Sequence, residues 1–139
     1  MTKPTIDELE IMTPDQLGEL FRIEVMTNLP DSQFIQDLIT VGCPLNYKNL
    51  GYYALYSAII AGDLEMVILL VSSGVDVNAR DYQGEYTPLH IAAKSGQIRI
   101  IKFLVSAKCD IHARDPWGRT TWDYVCSYTK KVVPELEPK

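Results

Sequence analysis

The chain repeats itself. Slid along its own copy by 32 and then 34 residues, FIQDLITVGCPLN (34–46) falls over MVILLVSSGVDVN (66–78), and that falls over IIKFLVSAKCDIH (100–112). Phe34, Met66 and Ile100 come into register, as do Ile35, Val67 and Ile101, then Leu38, Leu70 and Leu104, and later Leu45, Val77 and Ile111. Such a period belongs to stacked units, none of which can bury its apolar face alone. Within a unit the apolar residues fall at helical spacing, as in Leu64, Val67, Leu70 and Val71.

Punctuation repeats with them. Gly42 and Gly74 stand where a helix should stop, because glycine adopts the left-handed conformation that satisfies the last carbonyls. Lys108 stands there in the third unit. ALYSAIIAG (54–62) lies over PLHIAAKSG (88–96), and the polar stretches NARDYQGEY (78–86) and HARDPWGR (112–119) separate the units. Asp, Gly and Pro in those stretches are turn residues. Each unit therefore reads helix, tight turn, helix and extended loop, in roughly 33 residues.

GEYTPLHIAAKSG (84–96), the GVDVN-type unit ends and the Asp115-Pro116-Trp117-Gly118 tip together resemble the ankyrin-repeat family, over about residues 32 to 130. The unit 81–112 carries the resemblance best. Asp81 to Thr87 is one residue longer than Asp115 to Thr120, and Asn49 to Tyr53 is one shorter. Tyr53 and Tyr56 stand where Thr87 and His90 stand in the next unit, which predicts packing roles for both rings. The resemblance implies an all-α solenoid of stacked helix-turn-helix units with β-hairpin-like loops.

Thr87, His90 and Lys94 read as helix architecture. Pro88 suits the first helical position, and Thr87 before it suits the N-cap. His90, three residues on, can reach back to the cap. Thr120 with Asp123, Thr13 with Gln16, and Thr5 with Glu8 repeat the device. Catalysis finds no such support. The sequence holds two histidines, His90 and His112, and no P-loop, GxGxxG or HExxH motif. Cys109-x-x-His112 lacks a second ligand pair, so no metal is expected. Cys109 reads as a buried loop thiol and Cys126 as a residue on an apolar helix face. The expectation is a non-enzymatic chain without cofactor.

An N-terminal capping helix is expected over 13–31, with Leu17, Leu20, Phe21, Val25 and Leu29 on one stripe. At the other end, 120–131 reads as one helix. Trp122, Val125 and Cys126 would face the stack; Ser127, Thr129, Lys130 and Lys131 would face water. The divisions are 1–46 (cap and degenerate repeat), 47–80, 81–114 and 115–131 (capping half-repeat), making one domain of 1–131. The tail 132–139 is expected to be mobile, or ordered only by a partner.

Charge narrows the partner. The net charge of −5 disfavours nucleic acid, which calls for a basic face. Residues 1–38 carry a balance of −6, which fits a basic protein partner. The longest apolar runs are too short to cross a membrane. MTKPTIDELE has no apolar block after its lysine, so no secretory signal is read. Three unpaired cysteines fit a cytosolic or nuclear compartment.

The resemblance implies a concave recognition surface of loop tips and first helices. Tip positions include Lys48, Asn49, Leu50 and Asp115; first-helix positions include Ile60, Ala61, Ser95 and Ser127. The expected partner-binding residues are Tyr52, Arg80, Asp81, Tyr82, Gln83, Glu85 and Tyr86, with Lys94, Trp117, Arg119 and Tyr128. Tyr52, Tyr82, Tyr86 and Trp117 place rings where nothing in the fold demands them, and rings dominate binding hot spots. The context Leu70-x5-Asp76-Val77-Asn78 also resembles that of hydroxylated repeat asparagines. The function expected is a monomeric interaction module acting as inhibitor, adaptor or immunity-type neutraliser. The alternative is a constitutive structural subunit of a larger assembly.

Overall fold

A computed structural model describes residues 2–27, 30–45, 50–80 and 85–137. Several of its helices begin at capping residues. Thr5 caps α1 (Ile6–Glu10) and Thr13 caps α2 (Pro14–Val25). Glu8 and Gln16 reach back to accept the cap amides, at 2.7 and 2.9 Å. Asp31 caps α3 (Ser32–Thr40) by accepting the Gln33 and Phe34 amides, and Asp63 caps α5 (Leu64–Ser72) through the Met66 amide. Between them lies α4 (Leu50–Ala61). Thr87 caps α6 (Pro88–Lys94), with proline at its first position, and α7 (Ile98–Ser106) follows. Each such cap is worth about 1 kcal/mol.

The helices form two rows. In the first, α4 packs between α2 and α6, and α6 packs on α8 (Thr121–Tyr124). In the second, α3 packs on α2, α5 on α4 and α7 on α6, with α5 also against α7. The registered residues make the seam between rows. Ile35, Val67, Ile101, Leu38, Leu70 and Leu104 are at most 1% exposed. Burying each such side chain contributes about 2 kcal/mol. α4 reads LGYYALYSAIIA, apolar almost all round, as suits a helix enclosed by α2, α5 and α6.

The second helices end alike. Gly42, Gly74 and Lys108 have φ of +90°, +98° and +62°. The residue after each donates its amide back to Leu38, Leu70 or Leu104, at 3.0, 3.1 and 3.3 Å. Gly51 has a different reason to be glycine. A Cβ there would lie 2.9 Å from both the Leu45 carbonyl oxygen and a Val75 methyl.

Among the described residues there is no strand. The tip at Asp115–Arg119 closes in hairpin fashion, the Asp115 amide donating to the Arg119 carbonyl at 2.9 Å. Leu17, Phe21 and Val25 of the capping stripe are buried and Leu20 packs against them; Leu29 lies outside the described residues.

The C-terminal end departs from expectation. The single helix over 120–131 is broken at Val125, whose backbone is extended, into α8 and α9 (Ser127–Val132). Val125 stays buried, but Cys126 becomes the exposed N-cap of α9, and Thr129 is buried at 2% exposure. The segment expected to be a mobile tail forms a short 3-10 turn at Pro134–Leu136, with Val133 and Leu136 at 2% and 1% exposure. The physical reason is the last repeat's open face. One straight helix presents one stripe, whereas a chain that folds back brings Val125, Val133 and Leu136 into the same apolar core.

Candidate partner-binding groove

Three helices of the first row leave a trough between them. The end of α2 supplies Val25, Met26 and Thr27, α4 supplies Tyr52, Tyr53, Tyr56 and Ser57, and α6 supplies Ile91 and Lys94. Tyr86 closes it beside α6. The cavity measures about 530 Å³. A second cavity of about 300 Å³ adjoins it, sharing Val25, Thr27, Tyr56 and Ser57 and running on to Ile60, Ala61 and Met66.

The tyrosines of α4 exchange the roles read from the sequence. Tyr52, expected on a free loop tip, lies in the first turn of α4 at 5% exposure, edge-on to Tyr53 and stacked on Tyr56 at 6.2 Å. Tyr56, expected in the core, is 41% exposed at the junction of the two cavities. The reason is where α4 begins. The helix starts at Leu50, so residues assigned to the tip become helical, and Tyr52 is held as the floor beneath Tyr56.

Beyond Tyr86 the trough ends in cations on rings. The Lys94 ammonium lies 4.1 Å from the centre of the Tyr86 ring and 5.6 Å from that of Tyr124. The Arg119 guanidinium lies 4.9 Å from Tyr124 and 5.0 Å from Trp117. Contacts of this kind are worth about 0.5–1 kcal/mol when exposed. Asp115 organises the corner. One carboxylate oxygen accepts the Trp117 and Arg119 amides, both at 2.9 Å. The other accepts the Arg119 guanidinium at 3.0 Å and the Tyr124 hydroxyl. Burial pushes the Asp115 carboxyl up, but these four donors outweigh it and hold the carboxyl at about 2.

Tyr86, Lys94 and Arg119 are thus brought together, with Trp117 standing 64% exposed beside them. Arg80 is bound into the scaffold, donating to the Arg114 carbonyl at 2.9 Å and, at 3.4 Å, to the carbonyl of half-buried Glu85. Tyr128 is exposed on α9, and among the described residues no ring contact joins it to the cluster. Asp81, Tyr82 and Gln83 lie outside the described residues, as do Lys48 and Asn49. Sequence reasoning missed Tyr124 and Met26. Tyr124 aligns with Ile91, an ordinary apolar first-helix position, and only its hydroxyl hinted at another role. Met26 follows α2 and is 62% exposed at the mouth of the trough.

This architecture has counterparts in known proteins. The family description "Ankyrin repeats (3 copies)" matches residues 24–115, about two thirds of the chain. The chain belongs to the ankyrin-repeat family. Ankyrin repeats are protein-interaction modules, and the trough lies along the first-helix row. Protein phosphatase 1 regulatory subunit 27 of Homo sapiens and that of Mus musculus are each 52% identical to the chain over 42 residues. The matched stretch is 30% of this chain and spans only 27% of either relative.

Within the ankyrin framework the groups that might have done chemistry have structural tasks. The Thr87 amide donates to Nδ1 of His90 at 3.3 Å, with the Thr87 hydroxyl 2.8 Å from the same nitrogen, and Nε2 meets the Arg119 carbonyl at 3.4 Å. Nδ1 therefore accepts and Nε2 carries the proton. Burial pushes the His90 imidazole below its ordinary range, and pushes the Cys43 and Cys109 thiols up to about 11. Thiols so shifted are poor nucleophiles. Among the described residues no group of three or more His, Cys, Asp or Glu is arranged to hold a metal. No helix of the described residues is long and apolar enough to cross a membrane.

Proposed function

We propose that this chain is a non-enzymatic regulator that acts by occupying the surface of another protein, as inhibitor or adaptor. The observation that carries the reading is the trough along α2, α4 and α6, with exposed Met26 and Tyr56 at its mouth and Tyr86 and Lys94 at its far end. Soluble proteins seldom leave rings and methionine gathered in a concave surface without a use for them. The human and mouse relatives are regulatory subunits by name, which supports a regulator's role. Their phosphatase is not carried over to this chain, since so little of their length is matched.

The basic partner expected from the N-terminal acids has weaker footing. Glu8 and Asp31 cap helices, Glu24 accepts Lys3 at 2.9 Å and the Asp31 amide at 2.6 Å, and Glu19 pairs with Arg22. Much of that negative charge is committed locally.

The test is capture of partners from native lysate by three tagged proteins. These are the wild type, a groove variant (Met26→Ser with Tyr56→Ser) and a control altered elsewhere (Ile11→Ser with Ile68→Ser). The reading expects a partner that the wild type and the control retain and the groove variant loses. A partner kept by the groove variant and lost by the control would place binding on another surface. A native size column separates the regulator, a free folded monomer, from a constitutive subunit that is insoluble without its companions.

A further inference from the structure

Lys94 is the single charged residue among the described residues that line the larger cavity; the rest are aliphatic, aromatic or hydroxyl groups. Its ammonium is placed by rings rather than by a carboxylate, and among the described residues no acid pairs with it. Arg119 shares the Tyr124 ring with it, at 4.9 Å from the ring centre. Asp115 answers the charge of Arg119 at 3.0 Å. Among the described residues the charge of Lys94 has no carboxylate partner and lies against aromatic rings instead. A carboxylate arriving there meets a cation already held in place, so less side-chain freedom is lost on binding. Further along the trough the character changes, since the ring of Tyr56 and exposed Met26 present uncharged, largely apolar surface.

We propose that the trough receives a partner segment in which an acidic side chain, aspartate or glutamate, sits beside a bulky apolar residue. The carboxylate meets Lys94 at the α6–α8 end, and the apolar side chain lies against Tyr56 and Met26 at the α2–α4 end. This rests on the groove reading above and gives it a charge and a direction. The polarity is opposite to the basic partner that the overall negative charge of the chain would attract.

Random-peptide phage display against the full-length chain and its Lys94→Glu variant tests the pairing. Selected peptides are then measured by fluorescence polarisation and by amide shifts in a 15N-labelled sample. Wild type should enrich peptides carrying Asp or Glu next to Leu, Ile, Phe or Trp, with shifts at Ser57, Ile91 and Lys94. Replacing that acid by its amide, or Lys94 by Met, should weaken binding about tenfold. Lys94→Glu should select Lys or Arg in the acid's place. Lys94 is exposed, so circular dichroism should show both variants folded. Apolar peptides without acids that still shift Ser57 and Ile91 would reject the charge assignment and leave the groove reading standing. Identical selections by wild type and Lys94→Glu would reject it too. Shifts confined to another face, or no enrichment, would overturn the proposed pairing, while the lysate capture decides the groove reading separately.

Discussion

Nε2 of His90 lies 3.4 Å from the carbonyl oxygen of Arg119, so a side chain in the first turn of one helix holds the loop that opens the next unit. The ring is wholly buried and neutral. Its folded pKa is pushed below the ordinary 6.5, chiefly by burial. Between those two values the unfolded chain binds more protons than the native one, so stability rises with pH. The contribution of His90 is complete above about pH 6.5 and is lost as pH falls through the depressed value. Urea titrations at pH 7.5 and 5.5 should show wild type losing more stability than His90→Asn. Equal losses in the two proteins would refute this account.

Asp115 sets a lower window. Its carboxyl is held at about 2 against an ordinary 3.8, so the native state binds fewer protons between these values. Its stabilisation is present above about pH 3.8 and drains away as pH approaches 2. Tyr124→Phe removes one of its four donors and should lower the thermal midpoint at pH 7. Asp115→Asn should do so more strongly and flatten the acid limb. An unchanged midpoint in Asp115→Asn would mean the corner contributes nothing to stability.

Lys108 occupies a left-handed position that glycine fills at the ends of α3 and α5. Lys108→Gly should stabilise the chain by about 1 kcal/mol, because it relieves a strained backbone. Gly74→Ala should destabilise by a similar amount, about 1 kcal/mol, with open space around the new methyl and only the backbone to blame. Chemical denaturation decides; a loss of stability in Lys108→Gly runs against the argument.

Asn78 is exposed, yet its side-chain oxygen accepts the Asp110 amide at 2.7 Å, tying one repeat to the next. Asn78→Ala should cost about 1 kcal/mol. The Asp110 amide should also exchange with deuterium faster than in wild type. Unchanged exchange at that amide would show the link to be dispensable.

Trp117 is mostly exposed and touches Arg119. Trp117→Ala should weaken binding of the captured partner by about 2 kcal/mol and leave the unfolding midpoint in place. Wild-type affinity in that variant would remove Trp117 from the recognition surface.

The recurring apolar register made the rows legible, since Leu38, Leu70 and Leu104 mark the same buried point in three units. The starts of α1, α2, α6 and α8 were legible for a local reason. A capping residue and its partner sit three positions apart, and their bond needs no distant chain. The site was only partly legible. Tyr86, Lys94, Trp117 and Arg119, expected because the family pattern marks tip and first-helix positions, do lie together in the fold. Tyr52 and Tyr56 were exchanged, because α4 already begins at Leu50, and alignment with the next unit cannot show which ring the packing buries. Tyr124 was missed because its value lies in reaching Asp115, Lys94 and Arg119 at once.

By itself, then, the sequence determined what short-range chemistry and periodicity dictate: all-helical repeats, their caps, their left-handed ends and the shared apolar seam. The tertiary structure alone decided the break at Val125, the docking of Val133 and Leu136, and the placing of the Lys94 ammonium on two rings. Those outcomes depend on which surfaces remain uncovered once the repeats have stacked, and that is a property of the assembled pile rather than of any segment within it.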